Sequence, residues 1–278
     1  MYSFNAAVGL LRGRPGRLAV LLAVGAVVLA PVLAAQTVDE VIASSIRARG
    51  GMDKLESVKT LRTTSKVLFG DIRATVVQIN KRPDKVREEI SLQGLTLVQS
   101  YDGAGAWMID PFGGRKDPQR MSEDDAKSLV VDADFDHPLV NYKQKGHTAE
   151  LMGHDSVEGT DCYKIRLTLK NGDVFVYYLD TDSFLELKLE TQMKIRGAIQ
   201  ENETYYGDYE EVQGMYFPFA VESARKGDSN RQKITLEKVE INVPVEDGSF
   251  AMPAAKAAVA LPLPATETSN SYTRIVTQ

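Results

Sequence analysis

The chain has 278 residues, 43% of them hydrophobic and 26% charged, which is enough apolar material for a real core in one large domain or two ordinary ones. A formal net charge of −5 argues against a nucleic-acid binder, which would present a basic face. The single cysteine, Cys162, excludes an intramolecular disulfide, so burial must hold the fold together, with Cys162 itself read as a small buried hydrophobe.

Arg12, Arg14 and Arg17 precede an apolar run from Leu18 to Ala30, and small residues follow up to Ala35. This order of basic, apolar and small residues predicts a secretory signal peptide over 1–35, cleaved near Ala34 or Ala35. The competing reading is a retained anchor, but the run is short for a span of about 20 residues and Pro31 interrupts it. Cleavage leaves 30 basic and 38 acidic residues, a net charge of −8.

The mature chain opens on Thr37-Val38-Asp39-Glu40, a capping box, followed by Val41, Ile42 and Ile46 on one helical face. Gly50-Gly51 stops this helix. Strand signals then run through Leu61–Phe69, Ile72–Asn80, Lys85–Leu92, Leu95–Tyr101 and Ala106–Asp110, separated by short turns that force antiparallel neighbours. Ser122 caps a second helix with acidic residues in its first turn. The insert from Ser122 to Lys145 is too apolar for a solvated loop and is expected to lie over the sheet as a lid. Strands resume at His147–Met152 and continue through Phe184–Ile195, Ile199–Tyr209, Met215–Ala224 and Arg231–Val243. The last of these changes parity near Glu237-Lys238, which predicts a β-bulge.

The clearest hairpin is Cys162–Asp180. Tyr163, Ile165, Leu167 and Leu169 alternate with polar residues, and Asn171-Gly172 predicts a two-residue type I′ turn. That turn sets Leu169 opposite Val174, Leu167 opposite Val176 and Ile165 opposite Tyr178, leaving Phe175, Tyr177 and Leu179 on the other face. Beyond Met252-Pro253 the chain is rich in Ala, Pro and Thr, so 254–278 is expected to be disordered.

The sum is a mainly β chain of about 11–12 strands, whose single antiparallel sheet curls toward a barrel. One N-terminal helix and one mid-chain helix are available to cover its concave side. The stretches Ile46–Leu55, Lys81–Val86, Gln99–Ile109, Asp134–Gly146, Leu167–Asp180, Tyr206–Tyr209 and Ser249–Pro253 resemble the periplasmic lipoprotein-carrier (LolA/LolB-like) superfamily. They are similar in particular to the bacterial outer-membrane lipoprotein-sorting group. The resemblance spans about residues 37 to 253 and implies one domain over 36–253: an unclosed half-barrel in the periplasm whose concave face receives acyl chains under a helical lid. It implies a lipid or acylated lipoprotein as cargo, with transient membrane-protein donor and acceptor, and a monomer.

Candidate lining residues for such a cavity are Trp107, Phe112, Phe135, Leu139, Leu167, Val176, Tyr178, Phe217 and Phe219; ordinary core packing is the alternative for each. No nucleophile elbow, zinc-protease helix motif or phosphate loop occurs. His137, His147 and His154 read as loop or surface residues, and the carboxylates of Glu186, Glu190, Glu201 and Glu203 as a solvated face. Neither cofactor nor metal is expected. Carriage competes with a lipid-sensing or protein-interaction role, and more remotely with hydrolysis.

Overall fold

In the computed structural model, which describes residues 36–254, the first element is the helix that Thr37 caps, α1 (Val38–Ala48). The Thr37 amide donates to Glu40 Oε2 at 2.8 Å, and the Glu40 amide donates to Thr37 Oγ1 at 3.3 Å. Gly50 and Gly51, at φ 122° and 85°, turn the chain into α2 (Met52–Ser57). A Cβ on Gly50 would sit 2.5 Å from the Gly214 carbonyl oxygen, so both backbone angle and space require glycine there. Gly50→Ala is expected to cost more than about 1 kcal/mol and to lower the melting temperature by about 2–4 °C for each kcal/mol. A wild-type melt would mean that this turn relaxes without strain. The signal-peptide and tail expectations fall outside the described residues.

Thirteen strands among the described residues form one antiparallel sheet. They are β1 (Thr60–Phe69), β2 (Ile72–Lys81), β3 (Lys85–Leu92), β4 (Leu95–Tyr101), β5 (Ala106–Asp110), β6 (Arg115–Arg120), β7 (Thr148–Val157), β8 (Thr160–Thr168), β9 (Val174–Asp180), β10 (Glu186–Ile195), β11 (Ala198–Val212), β12 (Met215–Arg225) and β13 (Gln232–Ile241). The chain begins mid-sheet, builds outward to β6, crosses over through α3 (Glu123–Ala133) and resumes at β7 on the far edge. It then works back until β13 pairs with β1. β6 and β7 remain unpaired edges, so the sheet is an open half-barrel.

Strand β6 is the one the sequence hides. Arg-Lys-Asp-Pro-Gln-Arg has no apolar residue to alternate, and Pro118 argues against a central strand. An edge strand tolerates proline and is protected by charge, which accounts for both features. The expected bulge is present: Thr64 pairs with Lys238 and Ser65 with Leu236, leaving Glu237 unpaired.

The Asn171-Gly172 hairpin departs from expectation by one residue. Thr168 pairs with Val174, Leu167 with Phe175 and Ile165 with Tyr177. The Gly172 amide donates to the Leu169 carbonyl at 2.9 Å and the Leu169 amide to the Asp173 carbonyl at 2.8 Å, so the loop holds three residues. Only Gly172 has positive φ, as in a type I turn closed by a glycine bulge. A one-residue slip exchanges the faces. Phe175, Tyr177 and Leu179 therefore join Ile165 and Leu167 in the main core, with Val41 and Ile42 of α1. Val176 and Tyr178 lie on the opposite face with Cys162 and Val157, which corrects their assignment to the concave side.

The two faces carry different covers. On the concave side, Ala126, Leu129 and Ala133 of α3 pack on Val86 and Ala106. On the other side, the segment after β13 lays Phe250 on Val77 and Ile79, and Met252 on Val98, Trp107 and Ile109. The Trp107 indole donates to the Phe250 carbonyl at 2.7 Å, and Arg87 donates to the Ser249 carbonyl at 3.1 Å. Ser249–Pro253 is thus a structural strap.

Candidate ligand cavity

Between the α3 segment and strands β9–β12 lies a cavity of about 260 Å³. Leu55, Val58, Leu61, Leu189, Met215 and Phe217 supply apolar walls, and Val131, Phe135 and Pro138 the roof. A groove of about 440 Å³ lies across the roof, lined by Tyr101, Val130 and Leu169 among others. Val131 and Pro138 line both spaces, so this short segment is the partition between them.

Polar ties fasten the roof in addition to its apolar packing. Arg82 Nε donates to the Val58 carbonyl and its Nη2 to the Leu55 carbonyl, each at 2.7 Å. The same guanidinium binds both oxygens of Asp136 and stands over the Phe135 ring at 4.5 Å. One side chain thereby joins α2, the β2–β3 turn and the roof. Asp173, buried in the β8–β9 loop, accepts from Lys127 Nζ of α3 at 3.1 Å and from the Lys194 amide at 3.0 Å. Arg196 pairs with Asp125 at 2.6 Å, and the Tyr142 hydroxyl donates to Asp39 at 2.7 Å.

Polar groups also reach the cavity. Arg49, Asp132, His137, Tyr177, Glu186, Tyr206 and Tyr209 line it. Asp132 and His137 line it from exposed positions crowded by surrounding protein. Burial raises the Asp132 carboxyl to about 7, with the Glu88 carboxylate adding to the effect. Burial lowers His137 to about 3, assisted by Arg49 and Lys145, so its ring is neutral at physiological pH. Glu186 is raised by burial, with Arg49 opposing, and burial holds Tyr177 and Tyr206 in the hydroxyl form.

The Asp132 shift has a measurable sign. A carboxyl that keeps its proton longer in the folded state costs stability as pH rises from its ordinary value of 3.8 through about 7. Asp132→Asn is therefore expected to flatten the decline in melting temperature across that interval. Parallel wild-type and variant profiles would remove Asp132 from the account.

No protein-family model matches the sequence, and no curated protein matches it. Solved structures do match the fold. A DUF1329 family protein from Desulfovibrio piger has TM-score 0.53 and 14% identity, over 78% of this chain and 98% of that one. A LolA superfamily protein from Nitrosomonas europaea has TM-score 0.52 and 13% identity, over 78% and 98%. The fold is LolA-like. An outer membrane lipoprotein-sorting protein domain from Vibrio parahaemolyticus has TM-score 0.52 and 13% identity, over 75% and 94%.

The LolA-like half-barrel distributes the nine candidate residues unevenly. Phe135 and Phe217 line the cavity. Phe219 packs beside Phe217, while Leu139 and Leu167 belong to the core under α1. Trp107 faces away, under the C-terminal strap. Phe112 is 46% exposed at the β5–β6 turn, so the cavity role is corrected for it, as for Trp107, Val176 and Tyr178. The polar lining departs from expectation: His137 reads as a loop or surface residue and Glu186 as part of a solvated face, the latter corrected because its side chain is 14% exposed and lines the cavity. Glu186 escapes the parity of its neighbours because the register shifts between it and Lys188: Glu186 pairs with Leu179 and Lys188 with Tyr178. Tyr206 and Tyr209, three apart, both reach the cavity across Asp208, whose φ is 49°. By contrast Lys188, Glu190, Glu203 and Lys226 form an ion network on the outer face.

Proposed function

We propose that the chain is an exported, periplasmic carrier that takes a lipid, or the acyl chains of a lipoprotein, beneath its helical cover for transport toward the outer membrane. The partition formed by Val131 and Pro138 carries this reading. At 260 Å³ the cavity is smaller than the roughly 300–1,000 Å³ of ordinary ligand sites. Lifting the partition would open it into the 440 Å³ groove and create room for a chain. The ion pairs and hydrogen bonds that fasten the roof can re-form with water when it lifts. Sixteen buried methylenes would contribute on the order of 13 kcal/mol before entropy and roof opening are subtracted. That opposition keeps the cargo releasable. The protein binds and releases without making bonds, as a monomer meeting donor and acceptor membrane proteins transiently. The lipoprotein-sorting description of one fold relative supports the same reading.

Native mass spectrometry after gentle extraction is expected to show a bound lipid, and the emptied protein to take up a fluorescent fatty acid. Repeated empty spectra with no uptake would overturn the proposal.

One observation favours a sensing or protein-interaction role without transport. Leu68, Phe69, Ile72, Leu95, Phe112 and Ile199 are exposed at hairpin turns that the antiparallel order places at one end of the sheet. Capture of a stable envelope-protein partner by the lipid-free chain would support that role instead.

A further inference from the structure

The cavity is not uniformly greasy, and its polar groups are not all spoken for. Tyr177 is 2% exposed, yet its hydroxyl has no protein hydrogen-bond partner among the described residues. The hydroxyl of half-buried Tyr206 likewise has none, and neither do the side chains of Asp132 and His137, which are exposed residues. Atoms sealed from solvent without a partner are absent among the described residues, so the Tyr177 and Tyr206 hydroxyls face the open space. Arg49 and Glu186 form an ion pair at 3.9 Å, too long for a hydrogen bond, so each keeps hydrogen-bonding capacity. Tyr209 is satisfied, donating to the Glu186 carbonyl at 2.9 Å.

Water can serve these groups while the cavity is empty. A bare alkyl segment would expel that water and leave donors and acceptors unpaired, which opposes binding. A ligand that keeps them paired must carry polar atoms into the cavity. Its charge is constrained as well. The ionisable lining is one guanidinium, Arg49, two carboxyls, Glu186 and Asp132, and a neutral histidine. An anionic head would meet two carboxyls and a single guanidinium, and Arg49 already stands 3.9 Å from Glu186. The available volume equals about nine waters, suited to a small polyol head and not to a long chain.

We propose that the cavity seats the neutral, hydroxyl-bearing head of an amphiphile, whose hydroxyls donate to Glu186 and Asp132 and accept from Tyr177, Tyr206 and Arg49, while the chain runs under the lifted partition into the adjoining groove. This rests on the carrier reading and specifies the cargo's polar end.

Calorimetric titration of the full chain, stripped of lipid, with monolaurin and with laurate tests it, because the two share a chain and differ in the head. Monolaurin is expected to bind about tenfold more tightly than laurate at neutral pH. Tyr177→Phe/Tyr206→Phe should bring monolaurin down to the laurate level. Asp132→Asn, at an accessible position that tolerates change, should raise laurate affinity several-fold. Laurate binding as tightly as monolaurin, with neither variant changing the ratio, would overturn the head-group inference and leave the carrier intact. Failure of both ligands to bind would overturn both.

Discussion

Replacing Arg82 with alanine is expected to loosen the roof, lower stability by about 3 kcal/mol and speed the entry of a fluorescent acyl probe. Both partners of the Arg82–Asp136 pair are about one-fifth exposed, at 21% and 19% of their side-chain surface. Truncating the arginine therefore strands a mostly buried carboxylate and frees the Leu55 and Val58 carbonyls together. The effect should exceed that of Lys143→Ala, whose pair with Asp39 is largely exposed. Urea denaturation measures the first change and stopped-flow probe binding the second. A double-mutant cycle with Asp136→Ala should return a coupling of about 1.5–3 kcal/mol. An Arg82→Ala protein with wild-type stability and wild-type entry rate would show that the roof is held elsewhere.

This latch could not be read from the sequence. Lys-Arg-Pro-Asp announces a turn, and the turn is there, but nothing in those four residues says that the arginine reaches across to α2 and the roof. Alternation in β8 was legible because Ile165 and Leu167 are buried while Arg166 is exposed, and β1 to β5 were legible from the turns that separate them. Register was not, because it depends on turn geometry: the same Asn-Gly permits a two-residue or a three-residue loop, and the difference of one residue carried Tyr178 to one face and Tyr177 to the other. Glu186 was lost for a related reason. Parity counted from Lys188 and Glu190 fails where the β9–β10 pairing shifts, and the shift lies between Glu186 and Lys188. Irregular pairing of this kind re-aims a side chain, and here it aims one into the cavity.

Trp107 shows how stability and binding divide between the two faces. Truncation to alanine is expected to cost about 3–5 kcal/mol, since the ring is fully buried among Val98, Ile109 and Met252, and the void left behind cannot collapse completely. Arg87, which stands 5.5 Å from the ring, would also lose its aromatic neighbour. Trp107→Phe removes the indole donor while keeping much of the volume. The Phe250 carbonyl retains the Ser100 hydroxyl at 3.2 Å, so this change should cost only about 1 kcal/mol beyond the lost packing. Because the indole points away from the concave side, Trp107→Phe should bind an acyl probe with wild-type affinity, while Phe217→Ala, in the cavity wall, should weaken that binding. Chemical denaturation and probe titration on the two variants separate the roles. If Trp107→Phe lost probe binding while keeping its stability, the strap side of the sheet would have to be part of the ligand site, and the division of labour between the faces would be wrong.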